Sequence, residues 1–162
     1  MGMIVDVYDS PLGEMRLCSD GEHITAITFA GQQHEDKHIP PSAIPGFCPV
    51  LEETKLWLSQ YFSGKVPAFL PPIKLDGTEF QKRVWALLLE IPYGETVTYG
   101  ELAKMLGKKM SAQAVGSAVG RNPVSILVPC HRVMGADGKL TGYAGGIEKK
   151  EFLLKLERDH LG

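Results

Sequence analysis

The 162 residues suit one domain or two small, closely joined modules. A hydrophobic fraction of 44% with 22% charged residues supports a packed core and excludes a disordered chain. The net charge of −2 excludes a strongly basic nucleic-acid binder, but it averages two unlike halves. Residues 1–76 carry five Lys and Arg against ten Asp and Glu, whereas residues 77–162 carry twelve against nine. Only the second half is suited to phosphates, and only modestly. No apolar run nears the roughly 18 residues that span a bilayer, and Met1–Ser10 lacks a secretory signal pattern, so no membrane partner is expected. Cys18, Cys48 and Cys130 are too few and too odd in number for a complete disulfide framework, which favours a reducing compartment.

In chain order, residues 3–29 read as a β-meander. Ile4–Tyr8, Met15–Cys18 and Ile24–Phe29 are strand-like, with Asp9–Gly13 and Ser19–Gly21 supplying turns. Residues 31–48 are polar and proline-bearing, and read as a loop. Leu51, Thr54, Leu58, Tyr61 and Phe62 recur at helical spacing, predicting a helix over 50–62 that Gly64 ends. Pro67, Pro71 and Pro72 mark 66–77 as an extended linker between a module over 1–76 and another over 77–162. The expected class is α+β: a small N-terminal antiparallel sheet with a helix, then a mostly helical module.

That second module carries two capping boxes, Thr78–Gln81 and Thr98–Glu101. The first opens a helix whose face is Phe80, Val84, Leu87, Leu88 and Ile91, broken by Pro92–Gly94; the second opens a helix through Leu102, Ala103 and Leu106. Ser111 caps a third over 112–120, so the last two make a helix-turn-helix pattern. Ala112, Gly116 and Gly120 stand four apart, which gives the third helix a smooth face. Such a face suits close packing on another helix or close approach of a DNA backbone. Glycine in a helix costs about 1 kcal/mol relative to alanine.

Val124–Val128 reads as a buried strand running into Pro129-Cys130-His131-Arg132-Val133. A cysteine beside a histidine is a candidate nucleophile and base, since the thiolate is the reactive form. In an extended strand the two side chains would point apart, so they need a turn or a bridging water. A buried cysteine beside a surface histidine is the bland alternative.

The pentapeptide 129–133 resembles the active-site signature of the methylated-DNA–protein-cysteine methyltransferases, or alkylguanine-DNA alkyltransferases. The resemblance runs from Thr78 to Glu157 through Ile91-Pro92-Tyr93-Gly94, Thr98–Ala103, Ala114-Val115-Gly116, Arg121-Asn122-Pro123, Ile126–Val128 and Gly142–Gly146. In the first half it is carried mainly by Ser10–Gly13. It implies a single-turnover transfer of the alkyl group from 6-O-methylguanine in double-stranded DNA to Cys130, without a cofactor, by a monomer. His131 would deprotonate Cys130 through a water, with Glu157 orienting His131. Asn122 would brace the turn, and Tyr99 would help extrude the base and donate its hydroxyl to it. Backbone groups at Cys130, Val133 and Ala144 would read the guanine. Helix 112–120, with Gln113, Ala114 and Gly116, would enter the minor groove, and Arg121 and Tyr143 would add contacts. Family members usually have arginine where this chain has Gln113, which implies weaker intercalation. Lys104, Lys108 and Lys109 are further phosphate candidates.

Cys18 and His23 have a spacing seen in zinc-bearing relatives. A structural zinc site needs about four ligands and no matching pair completes the set, so no metal is expected. The rival readings are a lesion sensor without transfer, which would lack the reactive cysteine, and a cysteine hydrolase, which would need an oxyanion hole. A transcription factor on the same helix pair is compatible with transfer. The resemblance and the thiols imply a cytoplasmic address, or a nuclear one in a eukaryote.

Overall fold

The computed structural model describes residues 2–107 and 110–161. The chain forms two compact units. One runs to Leu75 and takes in Pro123–Ser125; the other begins at Asp76 and resumes at Ile126. The class is α+β, as the patterning predicts. Among the described residues no helix is long and apolar enough to cross a membrane.

In the first unit, strands β1 (Ile4–Ser10), β2 (Gly13–Ser19) and β3 (Ile24–Phe29) pair antiparallel in chain order. The β1–β2 hairpin is tighter than the sequence suggests: Ser10 pairs with Gly13, leaving only Pro11 and Leu12 as the loop. Gly13 supplies the positive φ, 102°, that this turn requires. Met15, Leu17, Ile24, Ala26 and Ile27 are buried, and helix α2 (Pro49–Phe62) packs on all three strands. That helix buries Leu51, Thr54, Trp57, Leu58 and Tyr61, and begins with proline at its first turn.

Residues 31–48 are not the featureless loop expected. They contain a one-turn helix α1 (Glu35–His38) and a short strand β4 (Ile44–Pro45) that pairs parallel to β1. Glu35 anchors α1: its carboxylate accepts from the Thr28 hydroxyl at 2.6 Å and from the Gly31 amide at 3.0 Å. Such side-chain anchors leave no periodic trace. In the proline-rich stretch Ile73 makes an isolated bridge to Ile24, whose amide donates to the Pro72 carbonyl at 2.7 Å.

The second unit is built on helices α3 (Glu79–Leu88), α4 (Tyr99–Leu106) and α5 (Ala112–Gly120). Both predicted capping boxes form, at Thr78/Gln81 and Thr98/Glu101. Ser111 caps α5 by accepting from the Ala114 amide at 3.0 Å. Val84, Trp85, Leu88, Leu102, Leu106, Val115, Ala118 and Val119 make the core of this bundle. Two side chains lock it from within. The Trp85 indole donates to the Ala118 carbonyl at 2.9 Å, and Arg83 donates to the Leu106 carbonyl at 3.0 Å, satisfying an orphan at the end of α4. Strands β5 (Val97–Thr98) and β6 (Val133–Met134) form a small parallel pair, unforeseen because each is two residues long. Helix α6 (Ile147–Asp159) closes the unit.

The buried strand expected over 124–128 is not one. Val124 makes an isolated bridge to Ile27, and the chain then turns at Ile126, which adopts φ 72°. That conformation is costly for a β-branched residue and breaks any continuous ladder. All five residues are nevertheless buried, so an apolar run stood for burial here and not for strand.

Candidate active site

Pro129 shapes the site locally. Its φ of −82° and ψ of 65°, with the Cys130 amide donating to the Val128 carbonyl at 2.8 Å, form an inverse γ-turn. The chain passes from it into a single 3-10 turn, Cys130–Arg132. This removes the strand geometry that would have sent Cys130 and His131 to opposite faces. Cys130, His131 and Arg132 are all buried.

Asn122, just after α5, braces the turn. Its side-chain amide donates to the Val128 carbonyl at 2.8 Å, and it also hydrogen-bonds the Cys130 sulfur. Burial pushes the Cys130 thiol up, against the opposing pulls of the Asn122 hydrogen bond and the Lys150 charge.

Helix α6 supplies the electrostatics. Its inward face is Lys150, Leu153 and Glu157, at i, i+3 and i+7. The apolar segment 152–156 therefore does not face inward as a whole: of these five residues only Leu153 is buried, and Phe152 is 39% exposed. Glu157 is 1% exposed and bonds His131 Nε2 at 2.5 Å, Arg132 Nε at 2.8 Å, Arg132 Nη2 at 3.1 Å and the Gly94 amide at 3.0 Å. Burial alone would raise its carboxyl. The His131 and Arg132 hydrogen bonds and charges outweigh burial and hold it far below the usual carboxylate range. Burial also lowers the proton affinity of His131, with the Glu157 carboxylate opposing. An ionised carboxylate only accepts, so His131 Nε2 carries a hydrogen and Nδ1 is the acceptor nitrogen of the neutral ring.

Tyr99, at the start of α4, faces α5 across a cleft of about 630 Å³ lined also by Ala112, Gln113, Gly116, Gly120, Thr141 and Gly142. On the smooth face of α5, Ala112 and Gly120 are exposed and Gly116 is half-buried beside Tyr99, while Val115, Ala118 and Val119 are the buried residues of the helix. A methyl group added at Gly116 would meet the Tyr99 ring at 3.6 Å, an ordinary contact, and one at Gly120 would meet nothing. The Tyr99 hydroxyl accepts from Thr141 at 3.3 Å, which leaves its own hydrogen for another acceptor.

The structure therefore brings Cys130, His131, Glu157 and Asn122 together, and sets Tyr99, Gln113 and Gly116 around one cleft. Ala114 and Arg121 are exposed, Tyr143 and Ala144 half-buried, and none of the four lines that cleft. Val133 is fully buried, and its carbonyl accepts from Lys150 Nζ at 2.6 Å. Lys104 is exposed; Lys108 and Lys109 lie outside the described residues. Among the described residues no three His, Cys, Asp or Glu side chains gather as a metal site, and His23 instead meets Asp20 at 3.2 Å.

Sequence reasoning missed two functional candidates. Lys150 is fully buried, donates to the Val133 and Thr141 carbonyls, and lies 6.0 Å from the centre of the Tyr99 ring. Arg132 is 9% exposed and grips Glu157 with two nitrogens. Helical spacing from Glu157 through Leu153 to Lys150 was the available signal for the lysine.

A buried cysteine, histidine and glutamate in one unit with a helix-turn-helix define a class of helix-turn-helix protein with a cysteine nucleophile candidate. The family description "6-O-methylguanine DNA methyltransferase, DNA binding domain" matches residues 79–159, and the ribonuclease-like domain of the same family matches residues 3–76. The chain belongs to the 6-O-methylguanine DNA methyltransferase family. It is 46% identical over 155 residues to the methylated-DNA–protein-cysteine methyltransferase of Methanosarcina acetivorans, covering 96% of this chain and 98% of that one. The protein of the same name from Haemophilus influenzae is 45% identical over 152 residues, covering 93% and 84%. The crystal structure of Mycobacterium tuberculosis OGT in complex with DNA superposes with a TM-score of 0.88 at 42% identity, covering 97% and 94%.

Proposed function

We propose that this protein repairs alkylated DNA by moving the methyl group from guanine O6 to Cys130, once per molecule. The observation that carries the reading is the buried cluster of Cys130, His131 and Glu157 in the same unit as an open cleft lined by Tyr99 and the small-residue face of α5.

In this reading the lesion base leaves the duplex and enters the cleft beside Tyr99, at a cost of a few kcal/mol that a mispaired base reduces. The open small-residue face of α5 lets the minor-groove backbone approach closely. The Cys130 proton passes to His131 Nδ1 through a water. The thiolate attacks the methyl carbon; the carbon–sulfur bond forms as the carbon–oxygen bond breaks, and the electron pair returns to the base. The Tyr99 hydroxyl donates to the base as that charge appears, and the proton first taken from the thiol finally restores guanine. The product thioether has no leaving group for water to displace, so the protein is consumed. Residues 77–162 carry the chemistry and 1–76 form a separate module. A cytoplasmic address, or a nuclear one in a eukaryote, goes with a thiol that must stay free.

Cys130→Ala tests the reading. The expected result is no methyl gain on the protein with lesion DNA still bound; methyl transfer by that variant would refute it. The lesion-sensor reading loses ground to the presence of Cys130.

A further inference from the structure

The Glu157 carboxylate is saturated. Oε1 accepts from the Gly94 amide and Arg132 Nε, and Oε2 accepts from His131 Nε2 and Arg132 Nη2. A carboxylate has room for about four donors, so all its acceptor sites are filled. Arg132 completes its own set by donating Nη1 to the Ile91 carbonyl at 2.7 Å, and its guanidinium carbon lies 5.7 Å from the centre of the Tyr93 ring.

A buried carboxylate needs one positive charge for neutrality, and two side chains compete to provide it. The guanidinium is charged at every accessible pH and meets the carboxylate with two donors; the imidazole meets it with one and titrates near neutrality. With Arg132 in place, a second cation at His131 would leave this buried cluster positively charged, with the Lys150 ammonium on the same helix face adding to the repulsion.

We propose that Arg132, and not His131, is the resident counter-ion of Glu157, and that Arg132 acts as a positioning residue which keeps the imidazole neutral, the form that takes the Cys130 proton. This rests on the reading of Cys130 as alkyl acceptor and His131 as its base. The charged and titratable groups facing His131 are Glu157 and Lys150 from α6 and Arg132 from its own turn. Tyr93, between α3 and β5, faces Arg132 and Glu157; burial raises its hydroxyl, so it stays neutral. Burial, Arg132 and Lys150 all lower the proton affinity of His131, and only Glu157 raises it. Glu157 thus holds the ring by hydrogen bond, while its charge is already matched.

The test is nitrogen-15 NMR of His131 in the full chain across pH, paired with the pH dependence of methyl transfer from a 6-O-methylguanine duplex. The wild type should show a neutral His131 at pH 7, hydrogen on Nε2. Arg132→Met leaves His131 as the only cation for Glu157, so the ring should be protonated at pH 7. The acid limb of the transfer profile should then move up by about one pH unit or more, slowing neutral-pH transfer by about tenfold. Arg132→Lys, which keeps a charge, should leave the limb in place. A merely structural role would slow transfer without moving the limb. A protonated His131 in the wild type at pH 7, or an unmoved limb in Arg132→Met, overturns the proposal. The wild-type spectrum decides even if the variants fail to fold. Should the wild type gain no methyl, the acceptor reading fails, and the His131 spectra still decide the charge state.

Discussion

The two units bury polar groups in different ways. In the first, Ser19, Thr28, Thr54 and Ser125 are buried, all neutral hydroxyls; Thr54, for example, donates to a carbonyl one helical turn away at 2.7 Å. In the second, Asn122, His131, Arg132, Lys150 and Glu157 are buried, four of them ionisable. Ionisable groups in a core are expensive, and hydrophobic replacements of similar volume are often at least as stable. A unit that keeps four within one small region is organised for chemistry. The first unit is organised for stability.

The contrast predicts unequal responses to substitution. The largest effect should come from Glu157→Gln, which strips Arg132 of its anion and should cost about 3–5 kcal/mol of stability along with most of the transfer rate. Urea unfolding and a transfer assay check both.

A pH titration sharpens the same point. The folded carboxyl of Glu157 lies below its ordinary value of 4.5, so its stabilisation is present above that value and is lost as pH falls below it. The folded His131 affinity is also depressed, so below the ordinary histidine value of 6.5 the unfolded chain gains a proton that the folded chain refuses. Stability should therefore decline on acidification from about pH 6.5 and again below about pH 4.5. A stability curve flat from pH 7 to pH 5 would contradict the neutral buried histidine.

Asn122→Ala comes next. It leaves the Val128 carbonyl without its side-chain donor and should cost about 1–3 kcal/mol, with slower alkylation of Cys130 by both DNA and a small haloacetamide. Gly116→Ala should act with opposite signs on folding and binding. It gains up to about 1 kcal/mol of helix propensity, while the added methyl in the cleft weakens lesion DNA binding in a fixed-salt titration. The smallest effect belongs to the first unit. Lys55→Ala removes a partly exposed 2.6 Å ion pair with Asp6 and should cost at most about 1 kcal/mol without altering the transfer rate.

Much of the fold was legible because local rules agreed with the global answer. The three strand-like runs of the meander end in turn residues, α2 repeats at helical spacing, and three N-caps carry their own hydrogen-bonding signatures. What escaped depends on particular partners and not on a repeating pattern. Glu35 orders α1 through Thr28 and Gly31, β4 owes its existence to β1, and β5 and β6 are too short to show a period. Val124–Val128 looks like a strand because burial on all sides yields the same apolar run in a strand or a tight turn, and only the φ of Ile126 distinguishes them.

The site was legible as a family resemblance before it was legible as physics. Cys130 and His131 are adjacent, but their usefulness depends on the γ-turn at Pro129. Glu157 is far along the chain and passes for a surface carboxylate until α6 turns it inward. Lys150 sits in a Lys-Lys pair that resembles solvated helix, and Arg132 was merely a member of a motif. Their roles depend on partners at Val133, Thr141, Ile91 and Glu157, which no spacing rule connects.

The most direct test of the central claim is intact-protein mass spectrometry after mixing the protein with an equal amount of duplex DNA bearing one 6-O-methylguanine. The account predicts a gain of one methyl group, mapped to the peptide containing Cys130 and stopping at one per molecule. Lesion binding with no mass gain, or a methyl found on Cys18 or Cys48, would contradict it.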